Sequence, residues 1–288
     1  SSDLAPKVPI IEHPDVTRML MGMKALVEAQ RMLSYYAAMQ IDLSKLLEGE
    51  ASREARSIVD ILIPLIKAGN SENAWQITAE AIQVHGGYGY CSDYPVEQLA
   101  VDCKVLSIVE GTNGIQSLDL VMRKILLNAD RKNYKVLKSR IYQTIENASG
   151  IVDDVYRNML LEGLHQMDSI LDTMKKHMDE GRYHTLLLNV DPLRRAFFDL
   201  MLAWMHLWCL TLARPKLSAL TAGAKGEALT EVLARDAEAA FYYGKVCASE
   251  FWLATEFPKY FGKMEGISLG ETVDFLPGNA VFSSHPCA

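Results

Sequence analysis

A helical period running almost from end to end is what most limits the fold of this chain. Over residues 16–46, apolar side chains recur at three- and four-residue steps (Met19, Leu20, Met23, Leu26, Val27) without a breaker. No strand-like alternation persists over five residues anywhere, and no internal repeat is present. Punctuation predicts further helices. One covers about 54–67 and stops at Gly69, read as a left-handed C-terminal cap. The next starts at Ser71-Glu72 and ends at Gly86-Gly87. Pro95 suits a first helical turn, opening a helix over 96–106. Thr112 reads as the N-cap of another, ending near Asn128. Beyond Asn128 the pattern stays helical, with frequent charges up to Arg182. Residues 222–226 (Ala-Gly-Ala-Lys-Gly) read as a loop, 237–261 as an amphipathic helix rich in aromatics, and the stretch after Gly266 as irregular. The expected fold class is all-α: a helical bundle over 1–128 followed by a second helical module over 129–288.

Composition narrows the function classes. With 288 residues and 49% hydrophobic content, the chain can bury a sizeable core. A net charge of −7 with no outstanding basic patch argues against a nucleic-acid surface. The five cysteines (Cys91, Cys103, Cys209, Cys247, Cys287) are odd in number and lack zinc or redox spacing, so a reducing compartment is expected. The opening Ser1-Ser2-Asp3-Leu4-Ala5-Pro6 has the character of neither a signal nor a transit peptide. Residues 196–213 are strongly apolar but short for a span and carry Asp199 and His206. A buried core helix is the expectation there, with peripheral membrane contact the less favoured alternative. On it His206 reads as a satisfied core residue, and Phe197, Phe198, Trp204 and Trp208 as core packing.

One region carries chemistry. Gln83-Val84-His85-Gly86-Gly87-Tyr88-Gly89-Tyr90 is followed by Asp93-Tyr94-Pro95-Val96-Glu97, then by Glu110-Gly111-Thr112-Asn113-Gly114-Ile115-Gln116. A glycine cluster at a helix end lets backbone approach a ligand closely, because no Cβ intervenes. A Thr cap with free amides at a helix start receives an anionic or carbonyl group. A carboxylate on the preceding turn is held in a fixed direction. The plainer reading is a turn after one helix and a solvated Glu before another. His85 is open to both readings, as a cofactor contact or as a packed or surface histidine.

The blocks QVHGGYGY, DYPVE and EGTNGIQ, in this order and at these intervals, resemble the C-terminal signature of the acyl-CoA dehydrogenases. Ile11-Glu12-His13-Pro14-Asp15-Val16 and the helical stretch after Asn128, with Ala240-Phe241-Tyr242-Tyr243-Gly244-Lys245, are similar to the long bacterial branch of that family. The resemblance implies that Glu110 is the base removing the α-proton of an acyl-CoA, while hydride leaves the β-carbon for FAD, giving a trans-2-enoyl-CoA. It implies FAD contacts at Thr112 and Gly114. Gln83, Gly86 and Gly87 would contact the FAD of a neighbouring subunit, in a dimer or tetramer. It further implies an electron-transfer flavoprotein as electron acceptor and a bacterial, cytoplasmic location. The family's N-terminal helical and middle β-domains have no counterpart in these residues, so a C-terminal portion of a protein of roughly 550–600 residues is expected, not active alone. Two departures stand out: Val101 replaces a frequent Arg before Asp102, and Val109 replaces a frequent Tyr before the base. The alternatives are a non-catalytic helical oligomerisation module and an acyl-CoA oxidase that passes electrons to oxygen.

Overall fold

The computed structural model describes residues 7–270, and within them every regular element is helical. Ser1–Pro6, Cys287 and most of the stretch read as irregular lie outside the described residues. Helix α1 (Pro14–Leu46) and helix α2 (Gly49–His85) lie along one another, joined by Leu47 and Glu48. Pro14 supplies the first turn of α1, and the Ser52 hydroxyl donates to the Ser44 carbonyl at 2.8 Å across the join.

The expected break at Gly69 is absent: α2 runs through it for 37 residues, and Gly69 has no positive φ. Gly69 serves packing. A Cβ there would stand 2.5 Å from the Phe198 ring, so helix α8 (Val190–Thr221) comes against α2 only because the side chain is a hydrogen. The helix ends where expected, on Gly86, whose φ of 62° is the left-handed region glycine tolerates.

Helix α3 (Pro95–Val105) begins on its proline as predicted. Helix α4 (Asn113–Leu118) is short, because the turn after it widens to a π-helical stretch over Asp119–Leu126. Then follow α5 (Lys132–Asn147), α6 (Asp154–Asp179), α7 (Tyr183–Leu188), α8, α9 (Gly226–Arg235), α10 (Ala237–Phe251) and α11 (Lys259–Gly270). The single helix expected over 237–261 is therefore two, separated by a π-turn over Trp252–Glu256. Helix continues four residues past Gly266, correcting that expectation.

The core centres on α8. It is apolar on all sides from Ala196 to Leu207, as only a helix surrounded by others can be. Among the described residues it alone has the length and composition to cross a membrane, but most of its apolar window is covered by α1, α5, α6, α10 and α11. The two polar residues within that stretch are accommodated. Asp199 pairs with Lys263, and burial still pushes its carboxyl up. The His206 Nδ1 meets the Ser249 hydroxyl at 3.1 Å, and complete burial pushes the imidazole down to about 3. One continuous set of buried side chains links α1 and α2 to α5, α6, α8, α10 and α11. The four described cysteines are free thiols.

Candidate functional site

The glycine block forms a 3-10 turn over Gly86–Tyr90 at the end of α2. Open space lies where a Cβ would stand on Gly86 and on Gly87, whereas Gly89 is closed in, its Cβ position lying 2.7 Å from the Ile82 carbonyl. Gln83 is exposed on the last turn of α2. His85 is exposed too, with Nδ1 2.8 Å from the Ala81 carbonyl of its own helix. The Tyr88 and Tyr94 rings meet at 5.5 Å and tie this turn to the start of α3.

Glu110 stands on the turn between α3 and α4, at φ 55° and followed by Gly111 at φ 87°. Two left-handed residues in succession reverse the chain sharply, and the non-glycine one carries local strain that its surroundings must hold. They hold it through Asn113, which is 8% exposed. Its backbone N–H donates to the Ser107 carbonyl at 3.1 Å and closes the turn. Its side-chain Nδ2 donates to the Ala68 carbonyl at 3.2 Å and lies 3.1 Å from the Ser71 hydroxyl. Its Oδ1 accepts from Lys67 at 3.2 Å, and Lys67 also donates to the Gly111 carbonyl. The turn is thus fastened to the middle of α2. Thr112 acts as the expected N-cap, accepting from the Ile115 N–H at 3.4 Å. At φ 87° Gly111 holds a conformation that would strain any side chain.

What this fastening leaves free defines the site. The Glu110 side chain is exposed and has no ion-pair or hydrogen-bond partner among the described residues, and its backbone N–H is likewise uncommitted. Val109 and Ile115 are exposed beside it, and Gly114 is open apart from the Thr112 hydroxyl 3.9 Å from its Cβ position. Exposed apolar side chains continue along α3 through Leu99, Val101 and Val105. Asp102 accepts from Gln98 at 2.6 Å, a bond within its own helix.

The structure does not bring all the candidates together. The Glu110 turn meets α2 at Lys67–Ser71, whereas Gln83 lies at least twelve residues further on, about 18 Å at the helical rise. Glu110, Thr112 and Gly114 form one group; Gln83, Gly86 and Gly87 form another.

Residues 3–126 match the family model of the acyl-CoA dehydrogenase C-terminal domain, and residues 137–273 match that of an acetyl-CoA dehydrogenase C-terminal-like domain. The chain belongs to the acyl-CoA dehydrogenase family. It is 34% identical over 269 residues to a butyryl-CoA dehydrogenase of Syntrophomonas wolfei, covering 93% of this chain and 42% of that one. It is 41% identical over 124 residues to a 3-methylmercaptopropionyl-CoA dehydrogenase of Ruegeria pomeroyi, covering 43% of this chain and 21% of the relative. The chain therefore spans less than half the length of these acyl-CoA dehydrogenases. A solved acyl-CoA dehydrogenase of Bacillus anthracis, complexed with FAD, shares the fold at a TM-score of 0.54 and 18% identity, over 94% of this chain and 47% of that one.

Within this chain, the supports of the Glu110 turn escaped the sequence reading. Lys67 and Ser71 lie more than forty positions from Asn113, and no local pattern announces that contact. A second layer is more remote. The Ser117 hydroxyl donates to Asp191 at 2.7 Å; Arg194, 1% exposed, reaches Asp191 and Glu72 at 2.8 Å each; and Arg195 joins the same two carboxylates. Burial opposes the charge on Asp191, but Arg194, Arg195 and Ser117 outweigh it and hold the carboxyl at about 2.

Proposed function

We propose that the complete protein dehydrogenates an acyl-CoA thioester to the trans-2-enoyl-CoA, with Glu110 as the α-proton base. The observation that carries this reading is the Glu110 turn. Its carboxylate and its N–H are both uncommitted, while the backbone bearing them is pinned to α2 through Asn113. A base that must meet a weakly acidic carbon needs that combination of free end and fixed root. The N–H of Glu110 would donate to the thioester carbonyl, stabilising enolate charge as the proton leaves. Exposed Val109 and Ile115 would take the acyl chain, an apolar surface that water alone covers poorly.

FAD fits these residues. On one side the Thr112 hydroxyl and the open backbone at Gly114 would hold it. On the other, Gln83 and the unobstructed Gly86 and Gly87 would receive its adenosine-diphosphate end. FAD held there would supply the acceptor for the hydride of the β-carbon. As the family resemblance implies, we assign Gln83, Gly86 and Gly87 to the FAD of a neighbouring subunit in a homo-oligomer, and Thr112 and Gly114 to the FAD of this subunit. An electron-transfer flavoprotein is the proposed acceptor.

The test is the flavin spectrum of the complete protein under anaerobic addition of acyl-CoAs. Bleaching is expected with at least one substrate, and Glu110→Gln should slow it by at least about a hundredfold while flavin stays bound. Equal bleaching in the variant would remove Glu110 from the reaction. Hydrogen peroxide formed in proportion to enoyl-CoA would reassign the acceptor to oxygen.

A further inference from the structure

A cavity of about 570 Å³ opens between α1, the first turns of α2, α5 and the second half of α8. It meets α2 at Ala51 and Ala55, at least twelve residues before Lys67, so it stands about 18 Å along that helix from the Glu110 turn. One wall is aromatic. Trp204 and Trp208 stack at 5.9 Å, and Tyr36 sets its edge against both, at 5.2 and 5.6 Å. Leu43, Leu47 and Leu212 continue the apolar lining.

Polar side chains make up much of the remaining lining, Gln143, Asn147 and Thr211 among them. Tyr36 is 8% exposed and Gln40 7% exposed, and neither side chain has a hydrogen-bond partner among the described residues. Burial pushes the Tyr36 phenol up to about 12, and the positive charge of Arg140 pulls the other way, so that guanidinium stands within electrostatic reach of the hydroxyl. Arg140 gives one nitrogen to Glu54, at 2.8 Å, in a half-exposed pair that contributes little stability, and its other donors are uncommitted. The Thr144 hydroxyl is already taken by Trp204 Nε1 at 2.8 Å. The Tyr36 hydroxyl and the Gln40 amide face the cavity without a protein partner, so a ligand entering it can pair with them.

An aromatic wall, a volume in the range of small-molecule sites and polar groups beside one cation describe a pocket for an amphipathic anion. We propose that this cavity binds a small monocarboxylate, its apolar body against Tyr36, Trp204 and Trp208 and its carboxylate on Arg140 and the Tyr36 hydroxyl. Charge-assisted bonds of this kind supply orientation, and aromatic contact supplies most of the affinity.

Isothermal titration calorimetry on the purified protein with octanoate and with 3-phenylpropionate tests this, with octanol as the uncharged comparison. One-site binding of at least one acid is expected, with octanol weaker. Tyr36→Phe keeps the ring and the core, and Arg140→Gln lies at the surface; each should weaken binding about tenfold without shifting the thermal midpoint. Glu110→Gln should leave the affinity unchanged. No binding of either acid at millimolar concentration overturns the proposal. So does octanol binding as tightly as octanoate, or an affinity that follows Glu110 and ignores Tyr36 and Arg140.

Discussion

Gly69→Ala sets two general rules against each other. In a helix interior alanine is favoured over glycine by about 1 kcal/mol, so the exchange should stabilise α2. The new Cβ, however, would stand 2.5 Å from Cδ1, Cδ2 and Cε1 of Phe198. Contact with atoms on both edges of the ring places the methyl over its face, so no rotation about χ2 makes room; the ring must translate. Overpacking of this kind costs about 1–3 kcal/mol. Phe198 also lines a cleft between α2, α8 and α11, which gives the ring somewhere to go. Set against the helical gain, the net destabilisation should lie at about 0–2 kcal/mol, a fall of up to a few degrees in the thermal midpoint.

Urea unfolding of four proteins measures it: the parent, Gly69→Ala, Phe198→Leu and the double variant. Leucine removes the ring that the methyl strikes, so Gly69→Ala should cost about 1 kcal/mol less in that background. Gly262→Ala is the control, an exposed glycine inside α11 with nothing within 4 Å of its Cβ position, and it should stabilise by up to about 1 kcal/mol. The reasoning fails if Gly69→Ala behaves like Gly262→Ala, or if its cost is the same with and without the Phe198 ring.

Other outcomes follow from the same structure. Asn113→Ala strips the buried partner from Ala68, Ser71 and Lys67 and should destabilise by about 1–3 kcal/mol; in the complete protein it should lower turnover while flavin stays bound, and unchanged turnover would mean that the clamp does not position Glu110. His206 links stability to pH. Its folded value of about 3 lies below the ordinary 6.5, so the unfolded chain binds the proton first as pH falls. The stability of the neutral buried form is present above 6.5 and is lost progressively toward pH 3. Thermal midpoints should decline between pH 6.5 and 4, and His206→Gln should flatten that decline; a flat parent profile contradicts it. Asp191 acts lower: held at about 2 against 3.8, it contributes above 3.8, and that contribution disappears as pH falls toward 2. Removing residues 130–288 should uncover the α2 face that α5 and α8 bury and produce aggregates in size-exclusion chromatography, whereas a soluble monodisperse product would show that the bundle closes on itself.

How far the sequence could be read depended on the range of the interactions. Helix type followed from the 3.6-residue period, and local stereochemistry marked Pro95 at a helix start, Gly86 at a helix end and Thr112 as a cap. Gly69 was misplaced because a glycine that ends a helix and a glycine that admits a neighbouring ring look identical in one dimension. Only the arrival of Phe198, 129 positions later, distinguishes them. The same limit hid Lys67 and Ser71 behind Asn113. The two π-helical stretches, at Asp119–Leu126 and Trp252–Glu256, have no compositional mark. Tyr36 and Arg140 lay on ordinary amphipathic helices, and the cavity between them exists only once α5 and α8 have packed.

The charged network under the Glu110 turn bears on what the second half of the chain is for. Asn113 and Ser117 stand one helical turn apart on α4, and the Ser117 hydroxyl lies within reach of both the Asn113 carbonyl and Asp191 of α8. Arg194 then ties Asp191 to Glu72, next to Ser71 on α2, where the Asn113 side chain is held. The loop closes: α2, α4 and α8 each hold the other two through buried polar atoms. A charge as enclosed as that of Arg194 is held by Asp191 and Glu72 together, because a buried guanidinium left unpaired costs several kcal/mol. The arrangement is therefore intolerant of sliding α8 along α2, and the hydrogen-only gap at Gly69 fixes the same pair of helices a short distance away. Residues far beyond the EGTNG segment thus set where that segment stands. A carboxylate proposed as the base on a strained turn needs such remote restraint, since the two left-handed residues of that turn, Glu110 and Gly111, offer no rigidity of their own.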